Sequence, residues 1–252
     1  MDLSLQGKRA IVTGGSRGIG KVIARQLALE GVDVVISARN KERLVATASE
    51  LAAETGRRVI PVVADTSDSA AVNALVSATV SELGGVDILV NNAAVPGGIS
   101  SATKLEQVVD QEVLDDIDIK VVGYLRAARA VAPHLVAKGW GRIINIGGLA
   151  IHRTGRPVAT LRNVGVAAIT KNLADELGPQ GVNVVAVHPG ATRTERTDPT
   201  HERELAAHSS IGRIVDAREV AYLVAFLASP LSVAINGDAI FAGGGSRGTI
   251  HY

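Results

Sequence analysis

Three glycines in the segment TGGSRGIG, namely Gly14, Gly18 and Gly20, follow the apolar run IVT and open a helical pattern. In that setting Gly14 permits a tight turn and Gly18 lets backbone approach a pyrophosphate. Gly20 lets the helix pack closely on the strand, while the helix N-terminus offers free N–H groups to an anion. Ser16, Arg17 and Ile19 complete the loop. The next apolar run, VDVVISARN, ends in Ala38 and Arg39, with no carboxylate at its end. An acidic residue there would bind a ribose 2′-hydroxyl, whereas positive charge suits a 2′-phosphate. Arg17 and Arg39 either clasp one phosphate through charge-assisted hydrogen bonds or are solvated surface charges. Groups able to move a proton are fewer. His152 follows an apolar run and titrates near neutrality, so it faces a substrate cleft or is an exposed loop residue. Lys120 interrupts a stretch rich in Val, Ile and Ala and shares a helix face with Tyr124, one turn on. Its ammonium serves a bound ligand or points to solvent, and Tyr124 is a core or interface residue. Arg162 either binds an acidic substrate group or packs at an interface. Thr154 and Thr160 supply hydroxyls with no base beside them. His201, Glu202 and His208 share a polar stretch without the spacing of a metal site, so no metal is expected.

Apolar runs at 9–13, 33–37, 58–63, 87–91, 142–147, 182–187 and 238–241 read as strands, and helical patterns alternate with them. That alternation predicts an α/β fold, a doubly wound parallel sheet of about seven strands with helices on both faces. Long helices are expected over 105–137 and 158–178. No linker or repeat divides residues 1–252, so one Rossmann-type nucleotide-binding domain is expected. Segment 195–210, ERTDPTHERELAAHSS, reads as a mobile lid or substrate loop within it.

Composition narrows the function further. Of the 252 residues, 46% are hydrophobic and 20% charged, which suffices for a sizeable core. A net charge of +1 and only 2% aromatic residues argue against nucleic acid as a partner. The chain has no cysteine, which excludes disulfides and thiolate chemistry. MDLSLQGK enters the first strand by Arg9, leaving no room for a signal peptide, and no apolar run reaches membrane-spanning length. A cytoplasmic protein acting on a small molecule, away from membranes, is expected.

Taken in order, these motifs resemble the short-chain dehydrogenase/reductase family, nearly end to end. The matching segments are TGGSRGIG, VADTSD, VDILVNNAAV, VVAVHPGATRT and INGDAIFAGGGS. The resemblance implies NADP (NADPH) as cofactor. It implies that Asp65 and Thr66 lie at the adenine, with Asn92 and Ala93 also in the cofactor site; Ala94 stands where the family has Gly. Pro189, Gly190 and Thr194 would hold the nicotinamide carboxamide. A homotetramer or homodimer built on the two long helices is also implied. The family's proton relay rests on a Ser, a Tyr, a Lys one turn later, and an Asn. Yet no tyrosine lies between Tyr124 and Tyr222, no serine between Ser101 and Ser209, and no lysine between Lys138 and Lys171. The resemblance sets Gly148, Ala159, Asn163 and Lys120 at the four positions, leaving His152 and Lys120 as the candidate replacements. Two functions follow: an NADP-dependent oxidoreductase with an atypical site, or a non-catalytic NADP-binding homologue serving as a sensor or oligomer partner.

Overall fold

The computed structural model describes residues 1–247. Its main sheet holds seven parallel strands: β1 (Arg9–Thr13), β2 (Asp33–Ala38), β3 (Val59–Val63), β4 (Ile88–Asn91), β5 (Gly141–Ile146), β6 (Val182–Pro189) and β9 (Ala239–Ala242). Two short strands, β7 (Thr192–Arg193) and β8 (Val215–Asp216), pair separately. The helices are α1 (Gly18–Leu29), α2 (Lys41–Thr55), α3 (Ser69–Leu83), α4 (Asp110–Ile117), α5 (Gly123–Val136), α6 (Pro157–Leu177), α7 (Pro199–Ala207) and α8 (Ala217–Ala228).

Strand order is β3-β2-β1-β4-β5-β6-β9. The order reverses between β1 and β4, and ligands of doubly wound sheets bind beyond the carboxyl ends of the strands at such a switch. Alternating side chains explain the two layers. Val12, Ile36, Val90 and Ile144 pack on α1, α2 and α8, whereas Ile11, Val35, Leu89 and Ile143 pack on α3, α5 and α6. Every residue of β5 and β6 is buried, as a central parallel strand requires. Among the described residues no helix is long and apolar enough to cross a membrane.

Two expected elements differ. The helix read over 105–137 is interrupted. A 3₁₀ turn covers Leu105–Gln107, and a π-helical turn at Asp118–Val122 separates α4 from α5. Such π turns insert one residue into the helical repeat and often accompany functional sites; here the turn carries Lys120. Segment 195–210 is not loop throughout. The Asp198 carboxylate accepts from the Thr200 N–H and starts α7.

Candidate active site

A cleft of about 1060 Å³ opens at the carboxyl ends of the strands. The glycine loop forms one end. Gly14 has φ +67°, which suits glycine, and a Cβ at Gly20 would stand 2.3 Å from the Gly14 carbonyl oxygen. The Asn92 amide donates to the Thr13 and Gly14 carbonyls, tying the end of β4 to this loop. The Ala93 N–H donates to Thr13 Oγ1. The Gly18 N–H, at the start of α1, donates to a Glu195 carboxylate oxygen at 2.9 Å. An anion therefore already occupies this helix N-terminus, as its dipole favours. Ser16, Arg17, Ile19, Arg39, Asp65 and Thr66 line the same end, and Pro189, Gly190 and Thr194 line its far wall. Arg39 also reaches Asp65, at 3.7 Å. The glycine cradle, the Gly18 N–H once Glu195 has left it, and the two arginines fit a dinucleotide phosphate chain.

At the inner end Lys120 is only 4% exposed. Its Nζ donates to Asn163 Oδ1 at 3.0 Å and to the Gly147 carbonyl at 3.1 Å. An ammonium has three N–H donors, so one remains for a ligand in the cleft that Lys120 lines. Burial, aided by the Arg162 charge and opposed by Asp116, lowers the Lys120 pKa to about 7. Ala159 and Gly148 line the cleft beside Asn163; a Cβ on Gly148 would lie 3.4 Å from Asn163 Oδ1.

His152 does not join this group. The turn Leu149–His152 carries its ring onto Phe241, with centroids 4.6 Å apart, and it is absent from the cleft lining. Tyr124 is core: it is 1% exposed, its hydroxyl donates to the Ile146 carbonyl, and burial pushes its pKa up. Among the described residues no three His, Asp or Glu side chains gather at metal-binding distances.

The family model described as enoyl-(acyl carrier protein) reductase matches residues 14–247. A curated relative, the 3-oxoacyl-[acyl-carrier-protein] reductase FabG of Vibrio cholerae, is 34% identical over 248 residues, spanning 96% of this chain and 98% of that protein. This chain belongs to the short-chain dehydrogenase/reductase family. Solved short-chain structures agree. L-sorbose reductase from Gluconobacter frateurii, complexed with NADPH and L-sorbose, superposes with a TM-score of 0.91 at 30% identity, covering 99% of this chain and 100% of that one. A short-chain dehydrogenase from Burkholderia cenocepacia in complex with NADP gives a TM-score of 0.85 at 37% identity, covering 96% and 98%. The protein is accordingly an oxidoreductase of the short-chain type.

Two features of this short-chain oxidoreductase escaped the sequence reading. Asp116, on α4, forms a buried ion pair with Arg162 on α6, Nη1 to Oδ1 3.0 Å. Its signal was a second charge four residues before Lys120, on the same helix face. His188, at the end of β6, is fully buried, and its Nδ1 lies 3.1 Å from the Gly148 N–H. Burial lowers its pKa to about 4, so it is neutral and holds the backbone at Gly148.

Proposed function

We propose that this chain is an NADP-dependent oxidoreductase with an atypical site, moving hydride to or from a small carbonyl or alcohol while Lys120 carries the proton. The observation behind it is the Lys120–Asn163 contact at 3.0 Å. Relative to the family pattern, lysine and asparagine have exchanged helices, so the ammonium reaches the same corner of the cleft from the opposite side. The usual tyrosine and serine positions hold Ala159 and Gly148. His152, packed on Phe241, has no part in the reaction.

Gly14, Ser16, Gly18, Ile19 and Gly20 would hold the pyrophosphate, Arg17 and Arg39 the 2′-phosphate, and Asp65 and Thr66 the adenine side. Asn92, Ala93, Pro189, Gly190 and Thr194 would position the nicotinamide. Bound there, NADPH supplies the hydride. Lys120 gives its proton to the carbonyl oxygen, and in the reverse direction its neutral amine takes the alcohol proton. A donor with a pKa of about 7 is populated in both forms near neutrality. Segment 195–210 acts as the lid, with Arg196, Thr197 and Leu205 on its cleft side. To bind the cofactor, Glu195 must leave the Gly18 N–H.

Titration calorimetry should give NADP at least a roughly tenfold preference over NAD, about 1.4 kcal/mol. Arg39→Ala should erase most of it. Equal affinities for the two cofactors, or an Arg39→Ala variant with unchanged NADP binding, would contradict the cofactor assignment.

The protein self-associates through α4–α6, whose outward faces carry the exposed Leu114, Leu125, Leu161 and Val164. Light scattering at micromolar concentration should give a dimer or tetramer; a monomer there would rule it out.

A further inference from the structure

The inner end of the cleft is a cationic enclosure. Lys120 and Arg162 are buried in its wall and Arg153, Arg156 and Arg196 stand exposed along its rim, whereas the carboxylates of Asp65 and Glu195 lie at the glycine-loop end, beside Arg39 and Gly18. Asp116 cancels one of these charges through its pair with Arg162. The rest remain, and cofactor phosphates at the other end do not neutralise them.

Arg162 is the group aimed most specifically. It is 6% exposed, yet its guanidinium is only partly used. Nη1 donates to Asp116 Oδ1 and to the Val95 carbonyl, while Nε is buried without a partner. Nη2 has no hydrogen bond among the described residues. Asp116 in turn is fixed, because its other oxygen accepts from the Ile99 N–H at 3.0 Å. The guanidinium is therefore held in one orientation with its Nε–Nη2 edge unsatisfied. Nη2, on a side chain that lines the cleft, is placed to meet a carboxylate in a charge-assisted hydrogen bond, whereas Nε is enclosed and reached only when the turn above it shifts. Arg156, at the mouth, donates to the Gly97 and Ser100 carbonyls and so braces the turn over the Asp116–Arg162 pair.

We propose that the substrate is a short oxo acid, or the matching hydroxy acid, whose carboxylate is held by Arg162 next to the carbonyl that Lys120 protonates. It rests on the oxidoreductase reading above. Arg162 and Asn163 are neighbours on α6, and Asn163 touches Lys120, so only a few bonds separate the substrate's acid group from its reacting carbon. In reduction the C=O π bond breaks, the C–O single bond remains, and new C–H and O–H bonds form. The hydride and its electron pair come from NADPH, which is oxidised to NADP⁺, and the proton comes from Lys120. The carboxylate is unchanged.

The test needs no variant at first. NADPH oxidation is followed with 2-oxobutanoate, 3-oxobutanoate and 4-oxopentanoate, each beside its methyl ester. In parallel, calorimetry measures butanoate and butanamide binding to the NADP-loaded protein. At least one acid should exceed its ester by about tenfold or more in kcat/KM, mostly through KM, and butanoate should bind more tightly than butanamide by a similar factor. The double variant Asp116→Asn/Arg162→Gln avoids stranding a buried carboxylate and should level acid and ester, while Arg162→Lys keeps part of the preference. Esters reduced as well as the acids would overturn the proposal. So would equal binding of butanoate and butanamide, whatever the turnover. Should neither series be reduced while butanoate still binds preferentially and through Arg162, the carboxylate subsite stands and the oxidoreductase reading falls.

Discussion

Lys120→Met lowers kcat by about 10²- to 10⁴-fold, the range that general acid–base catalysis contributes, while NADP affinity changes far less. The side chain lies at the inner end of the cleft, away from Arg17, Arg39 and the glycine loop, so under the proposed roles its loss removes the proton donor and leaves the phosphate contacts in place. The pH dependence carries the same signature. Carbonyl reduction needs the ammonium, so its rate is highest below pH 7 and falls as pH rises through the Lys120 pKa of about 7. Alcohol oxidation needs the amine and rises over the same range. Stability follows the opposite logic from that of a paired surface lysine. The folded-state pKa lies below the unfolded value, so above about pH 7 the unfolded chain binds the extra proton. Folding stability therefore increases from about pH 7 toward the ordinary lysine value of about 10.4, and Lys120→Met removes that dependence. A pH-independent kcat in the wild type, or a Lys120→Met variant with unimpaired turnover, would remove Lys120 from the chemistry.

Asp116→Asn should destabilise the protein by about 3–5 kcal/mol, the usual cost of removing one partner from a buried ion pair. Both side chains are almost fully enclosed, at 2% and 7% exposure. The neutral variant strands the Arg162 guanidinium beside the Lys120 ammonium. For a chain of this size the melting temperature should fall by roughly 10 °C. Asp116→Asn/Arg162→Gln should recover most of that loss, because no unpaired charge then remains buried. Calorimetric unfolding of the two variants decides it. A shift of only a degree or two in Asp116→Asn would mean that water reaches the pair and screens it.

The glycine loop, the strand–helix alternation and the sheet class were legible in the sequence because each depends on local periodicity and on chemistry within a few residues. The strand ends moved by only a residue or two: β5 begins at Gly141 and β6 runs on to Pro189. What escaped was non-local. Asp116 and Arg162 are 46 positions apart, and His188 and Gly148 are 40 apart, so neither contact leaves a short-range pattern. The π turn around Lys120 was also hidden. Residues 118–122 carry no proline or glycine to announce a break, and the helix resumes at Gly123. The fate of Lys120 lay between these cases. Its oddity in an apolar helix was readable, but its contact with Asn163 rather than solvent depends on how α6 packs against that turn. For His152 only the loop after β5 was readable; the direction of its ring, here onto Phe241, is set by the turn Leu149–His152.

The central claim is hydride transfer from bound NADPH with the proton supplied by Lys120. It is met most directly by single-turnover transfer of deuterium from C4-labelled NADPH to the oxo-acid panel, in wild type and in Lys120→Met loaded to equal NADPH occupancy. The account predicts labelled hydroxy acid from the wild type, at a rate that falls as pH rises past about 7, and label transfer slower by about 10²-fold or more in the variant. Tight NADPH binding with no label in any product from the wild type would contradict it and leave a nucleotide-binding protein without catalysis.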